Sequence, residues 1–355
     1  MFVLPFSGPG AIMDGGDRIM ITISDIARET GLSTATVSNA LSGKGRVSDA
    51  RRKQILEVAT RMGYDFSRIR VAQPHRGIAV IVETLSVIFC TKIAEGICRA
   101  AEEGGYQVKL YNLDIIHGPE DFNPPREQMR RRLEGLLPQL DAATLGDIYI
   151  SQYPRDVTGI MPPLPFPVVY AYCYTSDGAA SVNTDDQQGA YIATQHLLSL
   201  GKRRIAMLSG PINSIPMTKR FSGYQRALID AGTAVDLRLV KTGDWDIGHS
   251  CDIAAELLRF DPAPDVIFCQ SDHIALGVCR AIAEAGLRIP RDIAVVGFDN
   301  YDFAAFVSPT LTTIDQPLER IGNTAFLQLR NVIEKQTVGQ RSLLLAARLI
   351  RRQSA

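Results

Sequence analysis

Apolar positions recur along the chain at two periods, and the change from one to the other divides it. Ile26, Ala27, Leu32, Val37, Leu41, Val47, Ile55, Leu56, Ala59 and Met62 fall at helical spacing and predict three short helices around one small core. The helix ends carry their own marks. In TISDIARETG, Thr22 stands as an N-cap with Asp25 three residues on, a capping-box variant, and Gly31 follows the helix. LSTATVSNALSG predicts a second helix that begins at Ser33 or Thr34 and ends at Gly43. SDARRKQILEVATRMGY predicts a third, capped by Ser48 and stopped at Gly63. Two short helices about four residues apart around a glycine have helix-turn-helix spacing, which a generic three-helix bundle shares. In the first geometry the second helix enters a major groove and presents Thr34, Ala35, Ser38 and Asn39.

From Gly77 onward the period shortens. The runs IAVIV (78–82), YQVKLYN (106–112), PVVYAY (167–172), RRIAMLSG (203–210), DVIFC (265–269) and DIAVVGF (292–298) read as strands. Helical stretches lie between them, among them KIAEGICRAAEEGG, DQQGAYIATQHLLSLG, SGYQRALIDAG, CDIAAELLRF and HIALGVCRAIAEAG. Continuous apolar strands between helices predict parallel, doubly wound sheets. The length suits two such lobes with a cleft between them, and ligands of open α/β sheets bind at the carboxyl ends of the strands.

Charge sharpens this division. The 355 residues carry no formal net charge, yet Arg18 to Arg76 holds eleven bases against five acids. A basic headpiece on a mildly acidic body implies a polyanion as partner for the headpiece alone. The six cysteines form no CxxC pair and read as reduced core thiols. No Ser-His-Asp, zinc or P-loop pattern occurs, and no GxGxxG follows the first strand, which disfavours a dehydrogenase. Catalytic residues, metal and cofactor are therefore not expected. No apolar run reaches membrane length. Residues 1–17 lack the basic and apolar regions of a signal peptide and read as a disordered arm or as an upstream start before Met13 or Met20.

The string DIARETGLSTATVSNALSGKGRVSDARRKQILEVATRMGY resembles the headpiece of the lactose/galactose repressor family nearly end to end. The matching words are Asp25-Ile26-Ala27, Gly31, Ser33, Thr36-Val37-Ser38, Val47-Ser48, Arg52 and Gly63-Tyr64. The resemblance implies that Thr34, Ala35 and Asn39 read base edges, where Asn suits adenine and a small apolar group suits a thymine methyl. It places Thr22, Ser33, Thr36, Ser38 and the Arg51–Lys53 run at phosphates. In the following linker the family usually has a Pro and a minor-groove Leu; here Phe66 and Gln73 stand in their places, and Pro74 follows. Either Ile69 or Val71 supplies a substitute wedge, or the protein bends DNA less than its relatives, which is the favoured expectation.

The body is similar to the family's sensor domain and to periplasmic sugar-binding proteins, most strongly from Val182 to Pro317. The resemblance implies that Arg220 and Asp299 bind an effector. A forked guanidinium and a carboxylate together suit a sugar or polyol; a salt bridge between the lobes is the alternative. Trp245 lies where relatives place an aromatic against the ligand, though a lone Trp packed between loops is the blander reading. Ser271 and Asp272 follow a strand at the same cleft. Thr84, Ser86, Tyr153 and Asp156 are the first-lobe candidates.

The expected architecture is thus an all-α helix-turn-helix headpiece (20–64) after an N-terminal segment (1–19), a hinge linker (65–76), and a two-lobed α/β sensor (77–355) like a periplasmic binding protein. Lobe 1 is expected at about 77–176 plus 317–337, and lobe 2 at about 178–312 plus 340–355, with the last crossing near Thr310–Pro317. The expected function is a cytoplasmic repressor, a homodimer or tetramer on a pseudo-palindromic operator, released or engaged by a small polar effector. A soluble carbohydrate receptor is the alternative.

Overall fold

The computed structural model describes residues 21–42, 47–65, 76–115, 125–336 and 341–355. The chain separates into two units, Met1–His75 and Arg76–Ala355.

Among the described residues the first unit holds three helices, α1 (Ile23–Thr30), α2 (Thr34–Ser42) and α3 (Asp49–Met62). The capping box forms: the Thr22 hydroxyl accepts from Asp25 N at 3.3 Å, and the Asp25 carboxylate accepts from Thr22 N at 2.9 Å. Gly31 adopts φ 68°, a conformation that costs a side chain but not glycine. Ser33 is the cap of α2, since its hydroxyl accepts from Thr36 N at 3.1 Å. Ser48 precedes α3 but makes no side-chain capping bond. The expected end of α2 at Gly43 lies outside the described residues, as do the linker positions Ile69, Val71 and Gln73.

Ile26, Ala27, Val37, Leu41, Ile55 and Ala59 close the small core, with Leu32, Val47 and Met62 at its border. Ala40 and Tyr64 join it. Leu56 corrects the expectation: it is 38% exposed. The inward stripe of α3 runs through Ile55, Ala59 and Met62, and the residue after Ile55 points about 100° away from it.

The second unit contains two parallel sheets. The first lobe's sheet has the order β11-β5-β4-β3-β1-β2, built from β1 (Gly77–Val82), β2 (Gln107–Asn112), β3 (Thr144–Ile150), β4 (Val168–Ala171), β5 (Ser181–Thr184) and β11 (Ser342–Leu345). Its alternating side chains divide between two layers. Ile78, Val80 and Val82 meet α4 (Ile88–Glu103) and α10 (Leu318–Ile333), while Ile81 and Tyr149 meet α5 (Arg126–Leu136). The second lobe's sheet has the order β7-β6-β8-β9, from β6 (Ile205–Ser209), β7 (Val240–Thr242), β8 (Val266–Cys269) and β9 (Ala294–Val296). Ile205 and Met207 face α6 (Asp186–Ser199) and α7 (Ile215–Asp230), whereas Ala206 and Leu208 face α8 (Ile247–Leu258) and α9 (Asp272–Glu284).

The first-lobe helices α4 and α10 approach as closely as backbones allow. A Cβ added to Gly322 would lie 2.0 Å from the Ile93 carbonyl oxygen, and one added to Gly96 2.1 Å from that of Glu319. Both seats therefore demand glycine.

Sheet membership corrects the expected lobe boundaries. β5 and β11 both belong to the first lobe, paired in parallel from Ser342–Ser181 to Leu345–Thr184. The chain therefore leaves lobe 1 after Thr184 rather than near residue 177. It returns through β10 (Thr313–Asp315), and that crossing is the second rather than the last. The third follows Leu345 and leads to β12 (Arg348–Ile350), which pairs antiparallel with β10.

Not all cysteines are core thiols. Cys90, Cys173, Cys251 and Cys269 are buried and Cys279 is half-buried, but Cys98 is exposed; all are free. Among the described residues no helix is long and apolar enough to cross a membrane, and no group of His, Cys, Asp and Glu is arranged to hold a metal.

Candidate functional site

In the headpiece, Thr34, Ala35 and Asn39 are all exposed while Val37, Ala40 and Leu41 are buried. Helical geometry thus gathers the three expected base-reading residues, with half-buried Ser38, on one outward face of α2. The face carries only small or polar side chains. Arg51 is exposed. Thr22, Ser33 and Thr36 spend hydroxyls on local bonds: Thr22 on Asp25 at 2.6 Å, Ser33 and Thr36 on each other at 2.8 Å. Arg28 and Asp25 pair on the same side of α1.

In the second unit a cavity of about 270 Å³ lies between the lobes. It opens at the carboxyl ends of β3, β4, β6, β8 and β9, where such sheets bind ligands. Lobe 1 contributes Phe89, Tyr153 and Tyr172, and lobe 2 contributes Arg220, Trp245, Ser271, Asp299 and Tyr301. Four of the five effector candidates, Arg220, Asp299, Trp245 and Ser271, are brought together there. Asp272 is not. As the first residue of α9 it turns behind the wall, where it accepts from Thr313 Oγ1 at 2.6 Å and from Tyr301 N at 2.8 Å. It positions the Asp299–Tyr301 loop rather than facing the cavity. Of the first-lobe candidates only Tyr153 lines this space; Thr84 is buried and accepts from Ser86 N at 3.1 Å, and Asp156 belongs to a neighbouring chamber.

Arg220 is held rigidly. Its Nε donates to Asp186 at 2.8 Å, Nη1 donates to the Gln270 carbonyl, and Nη2 lies 3.6 Å from Asp299. Its guanidinium also sits 3.6 Å above the Phe298 ring. Asp186, Gln270 and Asp299 all belong to lobe 2, so this is not a bridge between lobes. Asp299 accepts from Ser271 Oγ at 3.0 Å and from Gln316 Nε2 at 2.8 Å. Gln316 sits in the second crossing. Its Oε1 accepts from Thr184 Oγ1 at 2.8 Å, at the first crossing, and it exchanges a 3.3 Å bond with Tyr172 of lobe 1. Phe89 and Tyr301 meet edge to face across the cleft at 5.5 Å.

Two lining residues sit in left-handed backbone, Tyr172 at φ 60° and Asp299 at φ 109°. Such positions cost about 1–3 kcal/mol each for a non-glycine residue and cluster at ligand sites. Asn300, next in chain, shares the turn at φ 54°. Sequence patterning missed Phe89, Tyr172, Tyr301 and Gln316. Aromatics at strand ends look like core, and only the Asp-Asn-Tyr turn after β9 marked one of them.

Burial pushes the Asp299 carboxyl up to about 6 and Asp272 up to about 8, the neighbouring Asp299 charge adding to the second. Arg220 opposes the rise at Asp299, and Thr313, the Tyr301 amide and Arg352 oppose it at Asp272. In both cases the folded state holds a proton that the unfolded chain releases, so stability is highest at acid pH and is lost as pH rises through the folded value. Asp147, raised by burial, holds a proton in the same way. Between pH 6.5 and 8 stability is therefore expected to fall as pH rises, read as melting temperature, with Asp272→Asn making that slope shallower and Asp147→Asn removing its own share. His249, raised by its bond to Asp244, loses stabilisation in the same direction, so His249→Gln serves as the control. His196 and His273 are lowered by burial and titrate below this window. A slope unchanged by Asp272→Asn would refute the assignment.

Comparison with known proteins bears on both sites. The family model described as bacterial regulatory proteins, lacI family, matches residues 22–66, and the periplasmic binding protein-like domain matches residues 194–355. Catabolite control protein A of Priestia megaterium is 32% identical over 339 residues, covering 94% of this chain and 99% of its own. The ribose operon repressor of Escherichia coli K12 is 31% identical over 342 residues, covering 95% and 100%. Among solved structures, the complex of the transcriptional regulator CelR with cellobiose is 28% identical with a TM-score of 0.65, covering 94% of this chain and 100% of its own. The lac repressor dimer bound to operator and the anti-inducer ONPF, at 24% identity and a TM-score of 0.68, shares the fold over 94% of this chain and 99% of its own.

Proposed function

The chain belongs to the lacI family of bacterial regulatory proteins, which are DNA-binding transcription regulators and not enzymes, and on that premise we propose that it is a cytoplasmic repressor whose operator affinity is set by a sugar or polyol held between the lobes. Two copies present two α2 faces to the half-sites of a pseudo-palindromic operator, so that protein and DNA share a twofold axis. Thr34, Ala35 and Asn39 read bases, and Arg51 sets the register on phosphates with the hydroxyls of Ser38 and of whichever of Ser33 and Thr36 keeps its proton, while Thr22, whose hydroxyl proton goes to Asp25, serves this contact by fixing the start of α1.

The observation that carries the effector reading is the fixed Arg220–Asp299 pair at the mouth of the second-lobe strands, walled by aromatic rings. A carboxylate accepting from paired hydroxyls and an aromatic face against the C–H side of a ring suit a polyhydroxylated ligand. Trp245 supplies the face; a Cβ on Gly210 would fall 2.2 Å from its ring, so its seat is shaped for it. The ligand bridges both lobes, and Gln316 passes any shift of Asp299 to Tyr172 and Thr184. Only the difference in affinity between open and closed lobes reaches the DNA, typically about 1–3 kcal/mol.

Trp245 is the only tryptophan in the chain. Titration with sugars, polyols, sugar acids and nucleosides is expected to change its fluorescence saturably for members of the first two classes. A response confined to nucleosides would replace the ligand class; silence throughout would remove the cleft as effector site.

A further inference from the structure

At the carboxyl end of the first lobe's sheet a buried charge pair stands behind the cavity wall. Glu83 follows β1, is fully buried, and meets Arg155, whose side chain is 7% exposed, at 2.5 Å. Neither lines the cavity that holds Arg220 and Asp299. Such a pair adds little net stability, since desolvating two charges costs about what their attraction returns. Its bonds converge instead on the loop that follows β3.

Glu83 Oε1 accepts from Tyr149 OH at 2.5 Å and from Arg155 Nη2 at 2.5 Å. Oε2 accepts from the Gln152 backbone N–H at 2.8 Å and from Arg155 Nη1 at 3.0 Å. Arg155 Nη1 also donates to Ser151 Oγ at 2.7 Å, and that hydroxyl turns its own proton to the Tyr153 carbonyl at 2.8 Å. Gln152, 2% exposed, donates from Nε2 to the Tyr153 phenol oxygen at 3.1 Å. Tyr153 is thus gripped at its backbone and at the tip of its ring. It lines the cavity with Pro154, and the two stand between Gln152 and Arg155, both bound to Glu83. The anchor is itself fixed: Glu83 N donates to the Ile150 carbonyl at 3.1 Å, and its carbonyl accepts from Ile115 N at 2.8 Å.

We propose that Glu83 and Arg155 are positioning residues that hold Tyr153 in the cleft wall as a lobe 1 contact for the effector. This rests on the reading of the cleft as the effector site and adds what sets the shape of one of its walls. A loop ordered in advance spares the ligand the entropy of ordering it. In the low dielectric of the lobe interior, a fully bonded network fixes geometry more firmly than the same bonds do in water. An apolar filling of the same volume keeps the packing and releases the loop.

The test places a reporter at the held position. In the full chain carrying Tyr153→Trp and Trp245→Phe, the indole at 153 is the sole tryptophan. Its quenching by acrylamide is compared with the pair intact, with Glu83→Gln/Arg155→Met, and with Glu83→Leu/Tyr149→Phe/Arg155→Met. In the double variant an amide still accepts from the Gln152 N–H, and the indole is expected to stay shielded. The triple variant removes the polar cluster as a unit and is expected to raise the quenching constant about twofold or more. Melting temperature checks that it folds. Ser151→Ala, which cuts the Tyr153 carbonyl bond and leaves the charge pair in place, is expected to move quenching in the same direction. With Tyr153 and Trp245 natural, calorimetric titration with ribose, glucose, cellobiose and sorbitol is expected to show the tightest of these weakened about tenfold by the triple substitution and scarcely by the double. Equal shielding in every background, or equal affinity, overturns the positioning role and leaves the effector cleft standing. Silence with all four probes while the indole is freed as expected overturns the effector reading, and with it the contact assigned to Tyr153, but not its fixing by Glu83.

Discussion

Replacing Arg220 with alanine is expected to abolish the effector response and to destabilise the second unit by about 3–5 kcal/mol, because it strands buried charge. Asp186 and Asp299 are both buried and would lose their shared cation. The Gln270 carbonyl would lose a donor as well. Denaturant unfolding reads the stability, and titration through Trp245 reads the ligand. The double variant Arg220→Met/Asp186→Leu separates the two effects. It removes both members of the closest ion pair and is expected to recover much of the stability, since apolar replacement of a buried pair is often neutral. It should not recover the effector response, because no guanidinium remains. An Arg220→Ala protein that still binds its effector with wild-type affinity would reduce Arg220 to a strut for the Asp299 loop.

The second large effect concerns α2. Asn39→Ala is expected to cost about 1–3 kcal/mol of operator affinity and to relax preference at one base pair in each half-site. Asn39 is exposed and flanked by Ala35 and Ser38 on the same face, so the substitution alters no core packing. Arg51→Ala is the contrasting case. It should weaken binding to all duplexes alike and lower the slope of log affinity against log salt by about one. Fluorescence anisotropy with the operator, single-base variants of it and an unrelated duplex, at several salt concentrations, distinguishes the two. Loss of specificity with Arg51→Ala, or uniform weakening with Asn39→Ala, would exchange the roles assigned to them.

The headpiece was legible because its signals are local. Thr22, Asp25, Gly31 and Gly63 act within a turn or two of their own positions, and the structure uses each as read. Leu56 departs from its apolar character because the inward stripe of α3 is already filled by Ile55 and Ala59, and Leu56 stands about 100° from it. In the second unit the strands with long apolar runs were clear. Those missed fall into two kinds. β3 carries Asp147 within its run, fully buried on the Tyr149 side. β5, β7, β10, β11 and β12 are only three or four residues long, and pairings such as β5 with β11 join residues about 160 positions apart. Those short strands decide the lobe boundaries, which is why the crossings were misplaced.

The site followed the same division. Arg220, Trp245, Ser271 and Asp299 stand at strand ends or in a family motif. Asp272 was grouped with Ser271 by adjacency, but successive residues at a helix start point in different directions, and it turned inward to Thr313. Phe89 and Tyr301 meet only because the chain crosses between lobes, and no local period encodes that encounter. The cavity's wall is therefore partly a product of topology.

That threading has a consequence for synthesis on the ribosome. The first lobe's sheet lacks an edge strand until Ser342–Leu345 has been made, and α10 must arrive to seat Gly322 against Ile93. The α1–α3 headpiece draws its whole core from residues before 65 and needs nothing later. A nascent chain thus completes its DNA-reading module some 280 residues before the receptor that governs it, at roughly 5–20 residues per second a lead of the order of tens of seconds. During that interval the growing polypeptide carries a finished headpiece with no sensor yet able to restrain it.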